Sequence, residues 1–97
     1  MVNCKIQIIE IIDDSFYPGI CKAVLEDYTG KSHVFVDKLP MFGFERYEIS
    51  SLPVEGAMRV ELISDFGESV EIGTDIPDHI EAEDGSCKFI VSKKLIN

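Results

Sequence analysis

Residues 2–12 read Val2-Asn3-Cys4-Lys5-Ile6-Gln7-Ile8-Ile9-Glu10-Ile11-Ile12, and the reading of this run decides the fold class. Val2, Cys4, Ile6 and Ile8 alternate with polar residues, the two-residue period of a strand that lays one face on a core. At Ile8-Ile9 the apolar phase switches, and Ile9 and Ile11 continue on the other parity. A phase switch inside one β-branched run predicts a β-bulge, which lets a long strand bend around a barrel.

Outward from this strand, Asp13 to Gly19 is a loop by composition and Ile20 to Asp27 reads as a second strand. Asp27-Tyr28-Thr29-Gly30-Lys31 has the order of a type I turn closed by a left-handed glycine, and it predicts a hairpin to a third strand, Ser32 to Lys38. The register of that hairpin is open by one residue, which leaves the side taken by His33 open too. Regularity breaks from Leu39 to Gly56, where prolines and glycines surround Met41, Phe42, Phe44 and Tyr47, and one short turn fits Glu45 to Ile49.

Ala57 to Ser64 and Ser69 to Thr74 form the clearest hairpin, closed by Asp65-Phe66-Gly67. Pairing Ser64 with Glu68 sets Leu62 against Val70, Val60 against Ile72 and Met58 against Thr74 on a core face, with Glu61 against Glu71 on the other. Asp75 to Gly85 is an irregular acidic connection, Ser86 to Ser92 is the last strand, and Leu95-Ile96 makes a short edge segment.

Six short strands without a long helix predict an all-β fold, a small six-stranded barrel. The chain length and the long third-to-fourth connection favour an OB-like barrel, with an SH3-like barrel or a small β-sandwich as alternatives. The 97 residues make a single domain, 1–97. The opening residues carry polar groups and no run approaches the roughly 18 apolar residues of a membrane helix, so the expectation is a cytoplasmic protein with no membrane association. Cys4, Cys21 and Cys87 are odd in number and form no CxxC, which reads as reduced thiols packed as small hydrophobes.

The formal charge of -9 is unevenly placed. Between Val60 and Cys87 stand Glu61, Asp65, Glu68, Glu71, Asp75, Asp78, Glu81, Glu83 and Asp84 with no Lys or Arg, while the rest of the chain balances nine acids against nine bases. That field repels phosphate backbones, which makes nucleic acid an unfavourable ligand for this surface and a basic or neutral protein the better partner. The plain alternative is a solvated face that keeps a small domain soluble.

Other chemistries find little support in the residues. The acids lack the DxDxDG spacing of a calcium loop, three scattered cysteines lack the paired spacing of a zinc site, and no cofactor is expected. His33 and His79 are the only histidines, and GxSxG, HExxH and a phosphate-binding glycine loop are all absent, so the expectation is a protein that is not an enzyme. Leu39, Met41, Phe42 and Phe44 are too apolar for a free loop. They either plug the barrel or form an exposed patch for a partner, which includes a second copy in a homodimer.

The run Asp27-Tyr28-Thr29-Gly30-Lys31-Ser32-His33-Val34-Phe35-Val36-Asp37-Lys38-Leu39-Pro40, followed by Pro53 and Gly56, resembles small bacterial β-barrel proteins of unknown function. The resemblance implies a fold and carries over no catalytic residue. The function expected from the residues is therefore a non-enzymatic protein-interaction domain. Its acidic face comprises Glu61, Glu71, Asp75, Asp78, Glu81, Glu83 and Asp84, with Met41, Phe42 and Phe44 as apolar anchors. One form of it is an immunity-type inhibitor of a basic partner. The competing expectation is an OB-type barrel that stacks single-stranded nucleic acid or oligosaccharide on Phe35 and Tyr28 beside Lys22, Lys31 and Lys38.

Overall fold

A computed structural model describes residues 1–15 and 17–97; Phe16, in the expected Asp13 to Gly19 loop, lies outside the described residues. Six antiparallel strands make one strongly curled sheet, a half-barrel: β1 (Val2–Asp13), β2 (Ile20–Glu26), β3 (Ser32–Lys38), β4 (Val54–Asp65), β5 (Ser69–Gly73) and β6 (Lys88–Ser92). Their order across the sheet is β3-β2-β1-β4-β5-β6. The all-β, small-barrel expectation holds.

The curl begins in β1. Its pairing with β2 slips between Ile8 and Glu10, where the phase switch predicts a bulge, and slips again between Ile11 and Asp13. Each slip adds an unpaired residue, bends the strand and increases its twist. Cys4, Ile6 and Ile8 point into the core on one side of the first bulge, and Ile9 is left exposed.

The hairpin from β2 to β3 closes as its sequence predicts. Gly30 takes φ +90°, and its N–H donates to the Asp27 carbonyl at 3.0 Å. Leu25 pairs with His33 and Ala23 with Phe35, which buries Phe35 completely and half-buries His33 against the ring of Phe89. The open register is thereby fixed with His33 on the inward side.

β4 starts three residues before the expected Ala57 because Val54 and Gly56 pair with Ile8 and Ile6 of β1. Gly56 suits this strand position because a Cβ there would sit 2.5 Å from the Phe42 carbonyl oxygen. Its bare backbone lets a 3-10 helix, Leu39–Phe42, press onto the sheet and bury Leu39 and Phe42 fully. A second 3-10 helix, Arg46–Glu48, occupies the short turn expected near Glu45 to Ile49.

The β4–β5 hairpin departs from the expected register. Leu62 pairs with Ile72 and Glu61 with Gly73, and a bulge between Leu62 and Ser64 brings Ser64 opposite Glu71. The Asp65 side chain accepts the Gly67 N–H at 2.9 Å and Phe66 N–H donates to the Ser69 carbonyl, so the turn is longer than Asp65-Phe66-Gly67 alone. The shift is two residues up to Leu62 and three beyond the bulge, where Ile63 is the extra residue, so Val60, Val70 and Ile72 keep the core face as expected, but Leu62 does not and Glu61 no longer opposes Glu71.

At its end the chain folds back on its beginning. Asn97 and Asn3 exchange backbone hydrogen bonds of 3.2 and 2.9 Å, beside a bridge between Cys4 and Ile96. The short edge segment expected at Leu95-Ile96 is thus confined to Ile96, because Lys93–Leu95 turn as a 3-10 helix. Among the described residues no helix is long and apolar enough to cross a membrane.

Candidate functional site

The acidic connection between β5 and β6 is built on an alternation that its composition hides. Ile80 and Ala82 are buried, while Glu81, Glu83 and Asp84 are exposed. Thr74 anchors it: its hydroxyl donates to the Ile80 carbonyl at 2.6 Å, and Ile80 N–H donates to the Thr74 carbonyl at 3.0 Å. Further along, Glu83 N–H donates to the Val34 carbonyl of β3 at 2.8 Å. The connection is thus a strap tied to Thr74 just past β5 and to Val34 of β3, with two apolar residues packed inward and three carboxylates held outward.

Glu61 and Asp75 form a second part of the surface. Gly73, paired with Glu61, has no side chain, and a Cβ placed there would lie 3.2 Å from Asp75 Oδ1 and 3.7 Å from Glu61 Oε1. The missing side chain therefore lets two carboxylates approach over bare backbone. Glu71 lies two residues back along the same strand, half-buried.

Two acids of the stretch are neutralised by bases from outside it. Arg59 of β4 clamps Asp78 with both arms, Nη2 to Oδ1 at 2.6 Å and Nε to Oδ2 at 3.2 Å. Asp78 is only 14% exposed, so it serves this pair rather than a partner. Lys93 meets Asp65 at 2.9 Å. Sequence spacing gives no sign of either pair, since Arg59 and Asp78 stand 19 residues apart. Asp84 accepts the Ser86 N–H at 2.9 Å, and that backbone hydrogen bond lowers its pKa.

The structure does not bring the apolar candidates to this surface. Phe42 is fully buried, while Met41 and Phe44 are half-buried against the core, so the Leu39 to Phe44 segment acts as a plug. Phe42 is accordingly lost as a partner anchor, since an enclosed ring cannot meet a partner. The competing ligand-barrel expectation changes as well. Phe35 is enclosed and unable to stack on a base, and Lys22 lies 3.9 Å from Glu10, whereas Tyr28 is exposed.

Near Tyr28 sits a polar cluster that the sequence leaves unread. Asp27 Oδ2 lies 2.8 Å from His33 Nε2, and Asp27 Oδ1 accepts from the Thr29 hydroxyl at 2.6 Å and from the N–H groups of Thr29 and Lys31. These bonds, the Thr29 hydroxyl first and His33 next, hold the Asp27 carboxyl well below the usual carboxylate range. Burial pushes the thiol of Cys4 up to about 12 and that of Cys21 up to about 11, which leaves both unreactive at neutral pH. Among the described residues no three His, Cys, Asp or Glu side chains converge as a metal-binding set. Set against models of protein families, curated proteins and solved structures, the chain matches none.

Proposed function

We propose that this domain is a non-enzymatic interaction module that binds a basic protein through its acidic surface. The observation that carries the reading is the strap between β5 and β6, which holds Glu81, Glu83 and Asp84 outward while Ile80 and Ala82 anchor it in the core. Carboxylates fixed by backbone bonds are ordered before a partner arrives, so binding sacrifices less entropy than it would on a flexible acidic tail. Glu61, Glu71 and Asp75 extend the charge onto the sheet, and clustered charge of one sign speeds encounter with a cationic partner. An immunity-type inhibitor of a basic toxin is one form this function takes. The buried thiols suit a reducing, cytoplasmic setting.

Reversing Glu61, Glu71 and Glu83 to Lys tests the reading in affinity capture from the native host's lysate. The expected result is that the native chain retains a protein of high isoelectric point and the triple variant, folded by circular dichroism, does not. Equal capture by both would overturn it.

A further inference from the structure

The curled sheet stays open between its edge strands β3 and β6, and the seam is not featureless. Thr74 N–H donates to the Cys87 carbonyl and Lys93 N–H to the Glu68 carbonyl, which sets the alternation of the β5–β6 ladder. Lys88, Ile90 and Ser92 therefore turn their backbone groups toward the free edge. Of these, the Ile90 carbonyl accepts from Tyr28 N–H at 2.8 Å.

Along this edge lies a groove of about 480 Å³ lined by Tyr28, His33, Phe66, Lys88, Phe89 and Ile90, among others. A neighbouring groove of about 430 Å³ shares Tyr28 and is lined also by Lys93 and Lys94, with Glu68 and Ser92. The rings of His33 and Phe89 lie 4.7 Å apart, tilted by 57°, while Tyr28 and Phe66 stand exposed at the rim. Exposed aromatic rings beside a concavity are stacking platforms for flat ligands. Among the described residues Lys88 and Lys94 have no ion-pair partner, although Lys93 is taken by Asp65. Each groove falls within the volume range of small-molecule sites.

We propose that this seam binds a small molecule joining a flat ring to an anionic group, of the size and chemistry of a nucleoside monophosphate. The ring stacks on Tyr28, its polar edge meets the free backbone groups of Lys88 and the Ile90 N–H, and the phosphate is drawn to the unpaired Lys88 and Lys94 that line the two adjoining grooves. The net charge of -9 opposes a long polyanion far more than a single phosphate, which favours a free nucleotide over a strand. This site borders the end of the acidic strap at His33 and Ser86 but uses other groups, and it goes beyond the proposed interaction function.

Titrating the isotope-labelled full chain with each of the four ribonucleoside 5′-monophosphates, followed by amide chemical shifts, tests the proposal. Saturable shifts at Tyr28, Lys88, Ile90 and Lys94 are expected for at least one of them. Loss of stacking in Tyr28→Ala or Phe66→Ala should weaken binding roughly tenfold, and Tyr28→Phe should retain it. The double variant Lys88→Ala and Lys94→Ala should weaken the nucleotide to the level of its parent nucleoside. A tetranucleotide of the same base that binds no tighter identifies a free nucleotide as the ligand, and one that binds more than about tenfold tighter identifies a strand. No saturable shift with any nucleotide, shifts centred away from the seam, or a nucleoside binding as well as its monophosphate would each overturn the proposal.

Discussion

Asp27 shows how much one side chain can organise. Its carboxylate closes the turn before β3 by accepting from Thr29 and Lys31, and it fixes His33 beneath the seam at 2.8 Å. The sequence shows the turn, because Asp-x-x-Gly order is local. It does not show that the second oxygen reaches His33, because that depends on the β2–β3 register. The folded pKa of Asp27 lies below the ordinary value of about 3.9, so its contribution is present above about pH 4 and is lost as pH falls through the folded value. Asp13, Asp65 and Asp84 are lowered too and share the acid limb. Thermal midpoints from pH 7 to pH 2 should show Asp27→Asn less stable than the native chain at pH 7, with the two curves converging below about pH 4. Curves that stay parallel across that range contradict the assignment.

Among the elements, those whose signal is local were the legible ones. The bulge in β1 announces itself in the Ile8-Ile9 phase switch, and the β2–β3 hairpin in the position of Gly30. The β4–β5 hairpin was readable in face but not in register, since a slip of two residues, with Ile63 bulged out to make a third, leaves Val60, Val70 and Ile72 on the core side while replacing every partner. The bulge at Ile63 also puts the hairpin's outer end in solvent, with Leu62 44% exposed although its parity marks it as core. Leu62→Lys should therefore change unfolding free energy by less than about 1 kcal/mol in a denaturant titration. A loss of about 3 kcal/mol or more would place Leu62 in the core and restore the expected register. The acidic connection was opaque for a different reason. Its carboxylates dominate the composition, and the burial of Ile80 and Ala82 depends on Thr74, just past β5, and Val34 of β3, which composition does not connect to them.

At the scale of the whole molecule, the fold arranges charge in space. An elongated body of 42 × 23 × 23 Å carries its excess acid on β4, β5 and the strap that follows them, while Arg59 and Lys93 cancel two of those acids. The seam between β3 and β6 joins Tyr28 to Ile90 across 62 residues, a proximity visible only once the sheet has curled. The central claim is that the uncompensated carboxylates form one surface for a cationic partner. Titrating the isotope-labelled chain with a short oligolysine tests it most directly. The account predicts amide shifts concentrated at Glu61, Glu71, Asp75, Glu81, Glu83 and Asp84, fading at about 0.5 M salt as screening shortens the field. Shifts spread evenly over all 18 acids, or centred on Glu10, Glu26 and Glu55, would contradict it.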